Sequence, residues 1–248
     1  MSLAENIAKV RARMDAAARE AGRDPKEITL VAATKVQTSQ TIREAIAAGI
    51  TICGENRVQE MNAHLADNAY QGAALHFIGH LQTNKVKYVV GHVDLIESVG
   101  SAHLLEAIEA QAAKKDLVQD ILLEINVGGE QSKSGIAPQE LRALACQAVQ
   151  SPHVRLRGLM AIPPVAQTPG ANRHFFAEMR QLFVDIRKIL DDNVADIDCL
   201  SMGMSGDFED AIREGATLVR VGTALFGPRP PMASQRPAAG AGTGGTTM

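Results

Sequence analysis

A chain of 248 residues with net charge −3 and a pI near 6.2 has no basic field of the kind nucleic acid requires, and its charges are mixed rather than blocked. No stretch approaches the roughly 18 consecutive apolar residues of a membrane span, and Met1-Ser2-Leu3-Ala4-Glu5 is no basic-then-apolar signal, so a soluble, cytoplasmic protein is expected. Cys53, Cys146 and Cys199 form no CxxC pair, and the histidines show no HExxH or ligand-like spacing, which argues against a disulfide framework and against a metal site.

Hydrophobic residues make up 46% and aromatics 3%, with no tryptophan, so the core must be built from Ala, Val, Ile and Leu. That suits strands covered by helices on both faces. Leu3, Ile7, Val10, Met14 and Ala18 recur at helical spacing and predict an amphipathic helix over 2–21, ended by Gly22. After Pro25, short apolar runs alternate with helical stretches. Strands are expected near 28–34, 51–54, 75–79, 94–98, 120–126, 155–160, 197–201 and 217–221. Helices are expected over 39–48, 56–67, 84–91, 101–115, 138–150, 171–192 and 207–214. Asn56 with Gln59 resembles a capping box, Pro138 suits a first helical turn, and Asp207 suits a cap. Gly49 and Gly215 close helices just before strands.

Eight such units predict an α/β fold, a single (β/α)8 TIM barrel over 1–228 with an extra N-terminal helix. An open doubly wound sheet would use the same units, and the short strands leave the count uncertain by one. Residues 229–248, rich in Pro, Gly and Ala, cannot bury apolar surface and are expected to form a disordered tail.

In such a barrel the site lies at the carboxyl ends of the strands. The first strand ends in Lys35, the second in Glu55-Asn56, the third in Gly79-His80, the fifth in Asn126 and the sixth in Met160. A strand-end lysine that is partly buried has its pKa pulled down, and a neutral amine can attack an aldehyde to form a Schiff base. A lysine snorkelling to water is the plain alternative. Strand seven ends in the small-residue turn Ser201-Met202-Gly203-Met204-Ser205-Gly206, and strand eight in Arg220-Val221-Gly222-Thr223. Turns after strands seven and eight are frequent phosphate sites in barrels. A phosphorylated aldehyde fits lysine and turns together. Alternation puts Arg220 and Gly222 on one side of their strand, where Arg220 is either a salt-bridge partner or the neighbour of a ring nitrogen.

Over residues 3–228 the chain resembles the YggS/PROSC family of pyridoxal phosphate homeostasis proteins. The matching stretches are Leu30 to Lys35, Gly54 to Glu60, His76 to Lys85, Asn126 to Gly135, Gly158 to Met160, Leu200 to Ser205 and Val219 to Thr223. The resemblance implies a barrel similar to the N-terminal domain of alanine racemase, with pyridoxal 5'-phosphate (PLP) as cofactor on a Lys35 Schiff base. It implies that Ser201, the Met202 backbone, Gly222 and Thr223 hold the phosphate and that Arg220 stands near the pyridine nitrogen. Asn56 and Met160 are implied to line the cofactor pocket. Lys133 matches the family's second lysine, an aid to cofactor transfer, or is simply an exposed loop lysine.

Three functions compete. The first, a carrier or buffer of PLP without catalysis of its own, is preferred, with apo PLP-enzymes as recipients and a monomer as the expected state. An amino-acid racemase would need a second base. In the related enzymes that base is a tyrosine from an additional domain of a partner subunit, and Tyr70 and Tyr88 fall remote from the expected mouth. A Schiff-base aldolase would need a carboxylate acid/base, for which Glu55 and Glu124 are the candidates. His80 is expected near the mouth as a satisfied loop histidine.

Overall fold

The computed structural model describes residues 2–130, 133–166, 168–190 and 197–228. Eight parallel strands close on themselves in chain order: β1 (Thr29–Ala33), β2 (Ile52–Glu55), β3 (Ala74–Phe77), β4 (Leu95–Val99), β5 (Gln119–Ile125), β6 (Val154–Ala161), β7 (Cys199–Ser201) and β8 (Leu218–Val221). The seam pairs β1 with β8 through four residues, Thr29 with Leu218 up to Ala32 with Val221. An open sheet would leave these edge amides unpaired, and closure removes that cost. The barrel expectation therefore holds, and the tail expected over 229–248 lies outside the described residues.

The helices are α1 (Leu3–Glu20), α2 (Ser39–Ala47), α3 (Val58–Ala66), α4 (Ala102–Lys114), α5 (Leu141–Gln150), α6 (Arg173–Ile189), α7 (Phe208–Arg213) and α8 (Thr223–Phe226). Helix α1 starts with a full capping box, in which Ser2 and Glu5 satisfy each other's backbone amides. It is held against α7 and α8 by the Arg13–Glu209 pair, by Arg13 stacked 4.6 Å over Phe208, and by Asn6 donating to the Leu225 carbonyl.

Four local expectations change. The segment Thr83–Tyr88 is a 3₁₀ helix, not an α-helix, since its only buried side chain is Val86 and no amphipathic face supports longer turns. Asn56 is not a helix cap: α3 begins two residues later with Arg57 in the cap position, and no side chain caps it. Asp207 does occupy the cap of α7, but its carboxylate accepts from the Met204 amide and the Asn172 amide nitrogen instead. Helix α8, a single turn, carries no sequence period and was not expected.

Alternation along the strands separates two cores. A large cluster under the helices includes Ala32, Cys53, Phe77, Ile96, Leu123, Val219 and Val221. A small one inside the barrel joins Val31, Ala33, Ile78, Leu95, Leu122, Met160 and Leu218. Above this plug the interior turns polar, and that is where the candidate site begins.

Candidate functional site

Lys35 stands two residues past the end of β1, in a tight turn that ends with Val36 at φ +61, a conformation a β-branched residue rarely adopts. Three contacts hold this turn. The Val36 amide donates to Glu60 Oε2, the Gln37 amide donates to the Thr34 carbonyl, and His64 Nε2 meets the Gln37 carbonyl. Thr34 in turn is anchored by its hydroxyl to Glu55 Oε1 at 2.6 Å.

Glu55 faces the helices, not the mouth. It is fully buried, and the same Oε1 accepts from the Tyr70 hydroxyl at 2.9 Å and meets His64 Nδ1 at 3.2 Å. Burial, with the charge and hydrogen bond of Glu55, pushes the Tyr70 phenol far up, so it stays a donor. Replacing Tyr70 by phenylalanine removes one of the donors to this carboxylate. It should cost about 2 kcal/mol in urea unfolding followed by circular dichroism.

One cavity of about 480 Å³ gathers Lys35, Asn56, Arg220, Gly222 and Thr223 on its wall, with Ser205 beside them. Asn56 Oδ1 is buried there without a hydrogen-bond partner. Its backbone lies against Gly79, where an added Cβ would sit 2.2 Å from the Asn56 carbonyl oxygen, so only glycine permits the approach. The amides of Gly222 and Ala224 both donate to Ser205 Oγ at 3.2 Å. A Cβ at Gly222 would come to 3.4 Å from Ala33, narrowing the cleft between β8 and β1.

Arg220 reaches the cavity from below and is almost wholly buried. One terminal nitrogen donates to Ser201 Oγ, the other donates to the Ala161 carbonyl at 2.9 Å, and Glu97 Oε2 lies 3.7 Å away. Burial pulls the guanidinium down from its ordinary value, and Glu97, Glu124 and Asp207 oppose that. Glu97 is itself fully buried on β4, accepting from Ser201 Oγ at 2.6 Å and meeting His76 Nδ1 at 2.7 Å. Burial alone would raise its pKa. The His76 contact, the Arg220 charge and the Ser201 hydrogen bond outweigh this and hold it below the ordinary carboxylate range.

Five of the eight expected site residues thus share one wall, and three do not. Ser201 is fully buried, with its hydroxyl committed to Glu97 and Arg220. The Met202 amide donates to the Leu218 carbonyl, and its side chain packs under the helices. Met160 is fully buried in the barrel plug. Met160 and Ser201 point into the barrel interior and Met202 packs outward under the helices, while the turn after β7 brings Ser205 to the cavity wall instead. Ser205 stands in the glycine-rich stretch after strand seven, and a second hydroxyl in that turn was the available signal. For Glu97 the signal was a lone charge inside the apolar run Leu95-Ile96-Glu97-Ser98-Val99.

Tyr70 and Tyr88 both lie away from this cavity. Lys133 pairs with Glu130 in its own loop and lines neither this cavity nor the one beside it. That neighbouring cavity contains His80, whose Nδ1 is 3.0 Å from Ser134 Oγ, and Glu124. Burial pushes the Glu124 carboxyl up to about 7, against the lowering influence of Arg220. A carboxyl raised in the folded state binds a proton that the unfolded chain has already lost, so stability should fall as pH rises from about 4.5 through 7. Glu124→Gln should remove that dependence and exceed the wild type by about 2–3 kcal/mol above pH 8, measured by urea unfolding across pH.

The chain matches the family described as alanine racemase, N-terminal domain, over residues 2–230. It is 42% identical over 229 residues to the pyridoxal phosphate homeostasis protein of Aquifex aeolicus, covering 92% of this chain and 99% of that one. The protein of the same name from Pseudomonas aeruginosa is 43% identical over 228 residues, covering 92% and 96%. Among solved structures, PipY of Synechococcus elongatus with PLP bound superposes with a TM-score of 0.79 at 34% identity, covering 91% of this chain and all of PipY. An alanine racemase of Clostridium difficile shares the fold at 13% identity, with a TM-score of 0.70 over 92% of this chain and 57% of its own. With its barrel and its cavity wall of lysine, arginine and glycine turn, the chain belongs to the alanine racemase N-terminal-domain family, among the pyridoxal phosphate homeostasis proteins.

Proposed function

We propose that this protein binds pyridoxal phosphate as a Schiff base on Lys35 and carries or buffers it, without catalysis of its own. The observation that carries the reading is the single cavity wall on which Lys35, Asn56, Arg220, Gly222 and Thr223 meet. The cofactor supplies an aldehyde that condenses with a neutral amine. The residues present fit it: a buried Asn56 Oδ1 lacks a partner, and two backbone amides converge on one hydroxyl oxygen. The cleft beside Gly222 is one that a side chain would narrow. A cavity of this size lies within the range of small-molecule sites.

Each residue has a role in that reading. Lys35 anchors the aldehyde. Gly222 and Thr223 bind the phosphate, whose oxygen replaces Ser205 Oγ as the acceptor of the Gly222 and Ala224 amides, and the displaced Ser205 hydroxyl donates to it. Ser201 acts at one remove, by holding Arg220. Arg220 faces the ring nitrogen, and a fixed cation there disfavours protonation of that nitrogen, which keeps the ring a weak electron sink. Glu55 is turned towards the helices, Glu124 lines the neighbouring cavity, and the tyrosines lie off the Lys35 cavity, which favours storage over aldol or racemase chemistry. Relatives that bear the name of homeostasis proteins, and a PLP-bound PipY, support the same reading. Apo PLP-enzymes are the proposed recipients, served by a monomer.

The test is the visible spectrum of the purified protein before and after borohydride, followed by peptide mapping. A visible band that collapses on reduction, with the pyridoxyl group on Lys35 and no turnover of a panel of amino acids, is the expected outcome. A chain that gives no band with added pyridoxal phosphate, or that racemises an amino acid at enzymic rates, contradicts the proposal.

A further inference from the structure

A second cavity, of about 440 Å³, opens at the same end of the barrel but over β3 to β5. Its polar wall includes His80, Gln82, Ser98, Ser101, Glu124 and Ser134, and among the described residues no lysine or arginine lines it. Two of these groups are buried without any hydrogen-bond partner: Glu124 Oε2, in a residue 6% exposed, and Ser98 Oγ, in a residue 2% exposed. A buried carboxylate oxygen and a buried hydroxyl left unpaired are both costly, so their presence together on one cavity wall calls for a ligand that satisfies them. Three of the neighbours are already engaged. Ser101 Oγ accepts from the Leu104 amide, and Ser134 Oγ is bonded to His80 Nδ1.

We propose that this cavity is a second ligand site, one that takes the ammonium end of a small primary amine between Glu124 and Ser98. An ammonium offers three donors and no acceptor, which suits an ionised Glu124, an acceptor only, and a Ser98 hydroxyl whose oxygen accepts as well as donates. A carboxylate or phosphate would face Glu124 with no lining cation to offset the repulsion. A neutral polyol would leave the Glu124 proton where it is. The charged groups around Glu124 are few among the described residues. Arg220 on β8 favours its ionised form, Glu97 on β4 is tied to His76 and Arg220, and His80 stands at the rim. Met160, opposite on β6, brings no charge. Burial nevertheless holds Glu124 up to about 7 in the free chain, so an arriving ammonium ionises it and a proton leaves with binding. The site uses neither Lys35 nor the first cavity, so it stands or falls apart from the cofactor reading.

The probe is ethanolamine, titrated calorimetrically into the full chain after borohydride treatment, which leaves no aldehyde to react with the amine. Measurements near pH 6 and above pH 8, in buffers of different ionisation enthalpy, count the protons. The expected result is saturable one-to-one binding with about one proton released near pH 6 and essentially none above pH 8. Affinity should drop about tenfold or more in Glu124→Gln and several-fold in Ser98→Ala. Proton release should survive in His80→Gln, which separates Glu124 from the rim histidine. Ethylene glycol and glycolate, the neutral and anionic probes, should not bind. Undiminished affinity in folded Glu124→Gln, tighter binding of glycolate than of ethanolamine, or no saturable heat with the wild type overturns the proposal.

Discussion

Lys35→Ala is expected to abolish borohydride-trapped pyridoxyl label on the protein while leaving the barrel folded. Lys35 is half-buried at the strand end, and the turn around it is held by other groups: Thr34 by Glu55, and the Val36 amide by Glu60. The substitution should therefore change stability by no more than about 0.5 kcal/mol without cofactor. The difference should emerge on adding pyridoxal phosphate. At roughly 100 times its dissociation constant, a ligand that binds only the folded state stabilises it by about 2.7 kcal/mol. Wild-type protein should show that gain as a higher melting temperature, and the variant should show little of it. Lys35→Arg should behave like alanine, because a guanidinium does not supply a neutral amine near neutral pH. Intact-mass measurement after reduction, beside thermal melts with and without cofactor, reads both effects. Label persisting in the alanine variant would move the anchor to another lysine.

Glu97→Ala is expected to destabilise the protein by about 3–5 kcal/mol, since it strands Arg220 in the barrel without its carboxylate partner. Ser201 Oγ and His76 Nδ1 lose an acceptor in the same step. The pH dependence has a definite sign. Glu97 is depressed in the folded state, so its contribution is fully present above the unfolded-state pKa of about 4.3 and is lost as pH falls through the lower folded value. Wild-type stability should decline on the acid side of about pH 4.5, and Glu97→Gln should flatten that limb. Above pH 4.5 the trend reverses, because Glu124 is displaced in the opposite direction. Urea unfolding across the pH range, in wild type and in the two glutamine variants, separates the carboxylates. An acid limb unchanged in Glu97→Gln would mean that Glu97 is not the group responsible. Loss of Glu97 should also loosen Arg220 and change the spectrum of bound cofactor, since Arg220 is proposed to face its ring.

The strands were legible because each is a short apolar run set between turn residues, and period and punctuation are local properties. The helices were equally legible wherever an apolar face repeats, as in α1 with Ile7, Val10 and Met14. Legibility failed where an element has no such face. Thr83–Tyr88 buries one side chain and settles as 3₁₀ turns, and α8 is a single turn made by its position against α1. Asn56 shows a motif outcompeted by packing. The capping pattern with Gln59 is present, but the close approach of Gly79 holds the Asn56 backbone in the strand-end turn. Gly158 is the converse case. Its glycine was noted only as part of a motif, yet a Cβ there would lie 1.8 Å from the Cys199 carbonyl oxygen, at φ +150.

What the amino-acid sequence determined by itself was the set of alternating elements, the family, and which residues stand at strand ends, Lys35 and Arg220 first among them. These follow from neighbours a few positions apart. Only the tertiary structure decided which strand ends share a wall. Closure of the barrel and the stagger of its strands carry Ser205 up to the cavity, and they sink Ser201 onto Glu97, 104 residues away in the chain. They also turn Glu55 towards the helices and Glu124 into the lumen, although both are glutamates at the carboxyl ends of strands. A pleated strand alternates its faces, so a shift of one residue in register exchanges inside for outside. That register is set by the neighbouring strands, and no local pattern records it.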